Sequence, residues 1–430
     1  MIASIRNKFI ALYHAIISSI AFYPSLIATG LFLLALGLLW LEDSTGLGVQ
    51  VVYENLPFLI SRDAGTVRVL LSTLIGGVIS LTVFSFSMVM IVLNQASSNF
   101  SPRLLPGLIS DKRNQVVLGM YIGTIIFNLI ILINLPSGGQ QHAQMGLSIL
   151  AGIVLGVICL VLFIFFIHNV STSIQVQNII NRIYLMTRKR LNEQISKERR
   201  ESAPVEADFD NWYHIRSDRA GYFEDVDLLR LKQLAADYET DFKVVPYRGK
   251  YLLPNNITVL SSKSLDEDKT ANVQKSILFT GLRKPSSNYM YGIQEIVEVG
   301  VKAMSPGIND PGTAIMTIDY LSELLALRMQ LDALEVYTTD DENHQIELTT
   351  ISFAELLHQT LSSYRLYCRH DVILMEKLIR MLTYLNRSNT VDPIHHEIIQ
   401  EQIAVFGEDI REHISNKEDQ NRLEQLLPDR

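Results

Sequence analysis

No Asp, Glu, Lys or Arg occurs from Val69 to Pro102, nor from Asn114 to Asn181. A bilayer core is crossed by about 20 consecutive apolar residues in a helix. Inside hydrocarbon every backbone N–H and C=O must be satisfied within the segment, which leaves continuous apolar runs little choice but helix. Four runs reach that length: Phe22 to Leu41, Val69 to Leu93, Val116 to Leu135 and Leu147 to Ile167. The first is too long for a cleavable signal and is followed by no small-residue cleavage site. Before it, Arg6, Lys8 and His14 stand among apolar residues, a pattern predicting either an interfacial amphipathic segment over 1–21 or an extension of the first span.

Orientation follows from Lys and Arg, which are retained on the cytoplasmic side. Arg6 and Lys8 precede span one, Arg103, Lys112 and Arg113 lie between spans two and three, and Arg182, Arg188, Lys189 and Arg190 follow span four. The loop from Pro136 to Gln144 has none, and the first outer loop offsets Arg62 and Arg68 with Glu42, Asp43, Glu54 and Asp63. Both termini are therefore expected in the cytoplasm, with the cell (inner) membrane as the location. Lipid bilayer and further copies of the chain are the expected partners, with small ions as candidate cargo. The formal net charge of −8 argues against a nucleic-acid partner. Two cysteines cannot build a disulfide framework or a thiolate metal site.

The membrane half holds small-xxx-small pairs at Gly119 and Gly123, Gly152 and Gly156, and Gly76 and Ser80, the spacing that lets helices approach closely. Span two adds a second pattern. Thr73, Ser80, Ser87 and Asn94 recur every seven residues, nearly two helical turns, and so share one stripe. Such a stripe is either a seam bonded to neighbouring helices or to its own carbonyls, or a polar wall facing water. Past span four the helix is expected to continue as a stalk over 169–196. His168 and Gln175 lie on one face of it, and His168 is a candidate gating residue or a plain solvated one.

The remainder has ordinary soluble composition. Strands are predicted at Trp212 to Arg216, Asp241 to Val245, Ile257 to Leu260 and Val273 to Phe279, and a helix over Asp225 to Tyr238. These make a small α+β subdomain over 209–284, with a helical subdomain over 285–430. The break Ser305 to Gly312 is its most site-like feature. Asp310 before Pro311 reads as an N-cap, while Asn309 and Asp310 together are candidates for holding a ligand. No phosphate-binding loop, His-Glu-x-x-His or Gly-x-Ser-x-Gly occurs, so no catalytic residue, metal or cofactor is assigned and an enzyme is not expected.

Four segments carry a resemblance: NQASSNFSPRLL from Asn94, HNVSTSIQVQNII from His168, RAGYF from Arg219 and YGIQEIVEVGVKAMSPGINDPGTAIMTIDY from Tyr291. The chain resembles the bacterial predicted membrane proteins grouped as domain of unknown function 2254. That resemblance implies four transmembrane helices over 22–168 and a C-terminal cytoplasmic domain, and assigns no activity. YRGKYLLPNNITVL from Tyr247 also resembles the hairpin of barrel-sandwich carrier modules, without the lysine turn a carrier needs. Overall, the expected fold class is an α-helical membrane domain followed by a cytoplasmic α+β domain with a helical C-terminal part. The expected function is an oligomeric ion channel or pore under cytoplasmic regulation, the alternative a non-conducting sensor or scaffold.

Overall fold

The computed structural model describes residues 21–45, 64–99, 112–135, 146–173, 175–198, 209–280, 288–332 and 334–428. The segment expected to be interfacial lies outside them, Ala21 excepted. By its internal contacts the chain divides into a unit ending at Gln175 and a unit beginning at Val176. Each is described by itself.

The first unit consists of α1 (Phe22–Thr45), α2 (Ala64–Asn99), α3 (Lys112–Asn134) and α4 (Gly146–Ser173). All four are long and apolar enough to cross a bilayer. With apolar side chains on the inner and outer faces alike, close fit at small residues contributes to choosing the inner faces, which also bury Gln115, Thr124 and Asn128. Helix α3 is central, touching the other three and burying Val117, Tyr121, Phe127 and Ile131. Its glycines seat α1: a Cβ on Gly119 would lie 2.9 Å from Pro24 Cα, and one on Gly123 3.3 Å from Ala28 Cα. On α4, a Cβ on Gly156 would meet Leu74 of α2 at 3.1 Å. The pairs on α3 and α4 thus serve packing within one chain. Outward, Trp40, Ile133 and Ile164 are at least 70% exposed, an apolar shell that suits hydrocarbon.

Glu42, read from the sequence as a loop charge, instead stands in the last turn of α1 and is buried. Its carboxylate accepts from the backbone N–H groups of Leu147 and Ser148 and from the Ser148 hydroxyl. A helix start leaves its first N–H groups unpaired. Glu42 supplies the cap of α4 from another helix, and its negative charge meets the positive end of the helix dipole.

The expected continuous stalk is interrupted. Helix α4 stops at Ser173 and a second helix, α5 (Val176–Glu198), begins three residues later. Its apolar face, Ile179, Ile180, Ile183, Leu191 and Ile195, is buried. The strands that follow are β1 (Tyr213–Arg216) and β2 (Gly221–Val226), then α6 (Leu228–Asp237), β3 (Phe242–Val244), β4 (Tyr251–Leu252), β5 (Ile257–Ser261), α7 (Glu267–Gln274) and β6 (Ile277–Thr280). Next come α8 (Tyr289–Ala303), α9 (Pro311–Arg328), β7 (Leu334–Thr338), β8 (Gln345–Thr349), α10 (Phe353–Cys368), α11 (Val372–Asn386), α12 (Ile394–His413) and α13 (Lys417–Glu424). Helix α5 packs on α8 and α9, so it belongs to this unit's core rather than standing free as a stalk. Tyr184 stacks on Tyr320 with ring centres 4.3 Å apart and donates to Glu323. Burial, then Glu323, pushes the Tyr184 phenol up to about 12.

Five strands form one sheet in the order β1-β5-β3-β8-β7, and three form another in the order β4-β2-β6. The region over 285–430 is therefore not purely helical. Its hairpin β7-β8 completes a sheet begun in 209–284, through the parallel pair β3-β8. The boundary expected at 284/285 is crossed by backbone hydrogen bonds. Nor do residues 247–260 form a hairpin: β4 pairs with β2, while β5 pairs with β1 and β3 in the other sheet. The strand expected over Val273 to Phe279 is the end of α7 followed by β6, and the helix expected from Asp225 starts only after Asp227, its N-cap. Phe242, Val244, Val259, Ile346 and Leu348 fill the core against Leu231 and Ala235 of α6.

Candidate functional site

The stripe on α2 faces outward. Among its described side chains, α2 buries Val67, Leu71, Ile75, Val78 and Ser85, spaced at three, four and seven. Thr73, Ser80, Ser87 and Asn94 are all exposed on the single chain. A Cβ on Gly76 or Gly77 would meet nothing within 4 Å, in contrast to the glycines of α3 and α4. Among the described residues, the stripe is therefore not a seam to other helices of the chain. Two of its hydroxyls bond back along their own helix, Thr73 to Val69 O at 2.8 Å and Ser80 to Gly76 O at 3.0 Å. That back-bonding satisfies the hydroxyl hydrogen but leaves the oxygen able to accept.

His168 is exposed near the end of α4 and Gln175 is exposed beyond it, in the interruption between the two helices. They do not share one helix face. The polar contact at this end of the first unit is made by their neighbour Asn169, which is buried, donates to Asn114 Oδ1 at 3.0 Å and accepts from Arg113 at 3.4 Å.

In the Ser305 to Gly312 turn, Asp310 is the N-cap of α9. Its Oδ1 accepts from Thr313 N at 3.1 Å and its Oδ2 from Thr313 Oγ1 at 2.5 Å, while its own N–H donates to Ala303 O at 2.7 Å. Both carboxylate oxygens are thus engaged in ending α8 and starting α9. Asn309 has φ +48°, the left-handed conformation that Asn tolerates better than most residues. Capping and turn geometry account for both residues.

A site with more chemistry lies elsewhere in the second unit, among residues the sequence did not single out. A cavity of about 220 Å³ opens between α5, the ends of β2 and β7, and the first turn of α8. Arg248 is one of the residues that line it. Its Nη1 and Nη2 donate to the two oxygens of Glu335 at 2.7 and 3.1 Å, and its Nε donates to Asp225 Oδ1 at 3.0 Å. Glu335 also accepts from Gln194 of α5 and, at 3.0 Å, from Tyr337 OH. Burial opposes the charge on Arg248, but the pull of Glu335 and Asp225 outweighs it and holds the guanidinium above its ordinary value. Asn288, the N-cap of α8, donates to Arg248 O at 3.1 Å. Gly249, at φ +96°, makes the tight turn that delivers Arg248; a Cβ there would lie 2.9 Å from the Tyr291 ring. Below the cavity, buried Arg328 donates to Ile351 O at 2.6 Å and Thr350 Oγ1 at 3.3 Å. The only sequence signal was the turn Arg248-Gly249-Lys250. Its partners lie 23 and 87 residues away and carry no spacing that links them.

A family profile described as a predicted membrane protein matches residues 17–384. Uncharacterised proteins of Mycobacterium bovis and Mycobacterium tuberculosis are 26% identical over 357 residues, 77% of this chain and 64% of theirs. The chain thus spans a little under two thirds of the length of these relatives. No solved structure matches it. The profile covers both the apolar helices and most of the second unit, and on that extent of match the chain belongs to the DUF2254 family of predicted membrane proteins.

Proposed function

We propose that the chain is a non-enzymatic membrane protein that assembles as a homo-oligomer around α2. In this reading the Thr73 to Asn94 stripe lines a path for small ions, and the second unit regulates it. The observation that carries it is the exposure of that stripe on a single chain. Gly76, Gly77 and Ser80 form a face that is uncovered among the described residues, while the other small-xxx-small pairs are already packed. Lipid offers a hydroxyl acceptor nothing, whereas water or a neighbouring subunit does. The charge asymmetry of the loops supports cytoplasmic termini in a cell (inner) membrane. A second reading, a non-conducting sensor or scaffold with dry subunit contacts, is favoured by the back-bonding of Thr73 and Ser80, which needs no water.

Cysteine substitution separates them. The native Cys159 and Cys368 are buried, and burial, then Asp371, pushes the Cys368 thiol up to about 12, so background labelling is low. Along a wet path, charged thiol reagents modify cysteines at 73, 80, 87 and 94 and change ion flux in reconstituted vesicles. Leu81 and Met88, partly covered by the bundle, stay unreactive. Inert stripe positions together with absent current reject the pore in favour of the scaffold. A cysteine at Lys112 that labels from outside intact cells rejects the orientation.

A further inference from the structure

We propose that the Arg248 cavity binds an uncharged, planar heterocycle of nucleobase size that carries an exocyclic amino group. The proposal does not depend on α2 lining a pore.

Charge comes first. Two guanidiniums, Arg190 and Arg248, and two carboxylates, Asp225 and Glu335, line the cavity, so the lining has no net formal charge. Arg190 is further neutralised by Glu193 at 3.3 Å. A phosphate or a bare cation would find no unspent counter-charge in this lining. The volume, about 220 Å³, falls below the roughly 300–1,000 Å³ of sites for drug-sized molecules, which limits the occupant to one small ring system.

Shape comes next. The two-point bond between Arg248 and Glu335 fixes a flat ion pair. Tyr337, tied by its hydroxyl to Glu335, and the buried Tyr289 add rings to the lining. Guanidinium planes and aromatic rings favour flat partners.

The free polar atoms then choose the edge. Glu335 is saturated by Arg248, Gln194 and Tyr337, and both ends of the Asn288 amide are engaged. Asp225 spends Oδ1 on Arg248 and on Val226 N, leaving Oδ2 as an acceptor. Gln194 spends one amide hydrogen on Glu335, leaving its carbonyl as an acceptor beside a second N–H donor. Arg190 keeps donors at the rim. Two acceptors beside a donor match a ring edge bearing an amino group next to a ring nitrogen, as carboxylates and amides read bases elsewhere. Gln194 and Arg190 both stand on α5, so a bound ring also ties α5 to the strands.

The test uses the purified full-length chain in detergent, with free adenine and cytosine against hypoxanthine and uracil. Within each pair the amino group is exchanged for an oxygen and the adjacent ring nitrogen turns from acceptor to N–H donor, while size and shape are kept. Adenine or cytosine raises Tm saturably, with a Kd below about 1 mM, and its oxo counterpart binds about tenfold more weakly. Asp225→Asn retains the shape but turns one acceptor into a possible donor, and removes or reverses that preference. Should this variant misfold, Gln194→Leu serves as the second probe and weakens the amino-bearing base selectively. No binding by any base up to 10-fold above that Kd overturns the proposal. So does binding with equal affinity within each pair, or stabilisation by phosphate, glycine or glucose alone.

Discussion

Replacing Glu335 tests whether the buried cluster holds the second unit together. The residue is 5% exposed and accepts four hydrogen bonds from three side chains. Removing one member of a buried ion pair costs about 3–5 kcal/mol, because the remaining charge is stranded. Arg248 keeps Asp225 and the Arg248 side chain is 22% exposed, so Glu335→Ala is placed at the lower end, about 3 kcal/mol. The double variant Arg248→Met/Glu335→Leu strands no Arg248 charge and refills the space. It loses clearly less than either single change, since apolar replacement of buried pairs is often neutral. The assay is urea unfolding followed by fluorescence. The chain has two tryptophans, and Trp40→Phe leaves Trp212, beside β1, to report on the second unit. A loss below about 1 kcal/mol for Glu335→Ala, or a double variant no better than the singles, refutes the reasoning.

Three further outcomes are expected. Glu42→Ala removes a charged cap and lowers the stability of the first unit by about 1.5–3 kcal/mol, with Glu42→Gln in between; unchanged thermal unfolding of the detergent-solubilised chain counts against it. Asp310→Ala costs the second unit about 1–2 kcal/mol and Asp310→Asn or Asp310→Ser recovers most of it, whereas variants that fold normally yet lose activity would reassign the turn as a ligand site. His395 is held below the ordinary histidine value of 6.5, by burial first and then by Arg328, while its Nδ1 lies 2.7 Å from Thr390 Oγ1. The unfolded chain thus binds the proton more readily. The stability contributed is full above pH 6.5 and is lost as pH falls through the lowered folded value, and His395→Gln flattens that part of the Tm profile.

The four apolar helices were determined by the sequence alone, because composition over twenty residues decides whether a segment can leave water, whatever its neighbours do. The Asp310 cap was equally local: an Asp before a Pro acts on N–H groups three residues away. The face of α2 that turns outward was not legible. Thr73 and Ser80 look alike whether they meet a sibling helix or nothing, and only the packing of the opposite face of α2 on α3 and α4 left them uncovered among the described residues. The same holds for Glu42, whose partners on α4 lie 105 and 106 residues away. Strand β8 read as part of a helical region; its hairpin with β7 is local, but its pairing with β3 is parallel and spans about a hundred residues, and that pairing joins it to the sheet. Arg248, Glu335, Asp225 and Gln194 come from four separate segments, and nothing in their spacing announces a cluster. Local chemistry specified helices and caps; the meeting of distant side chains, and with it the cavity, was decided by tertiary packing.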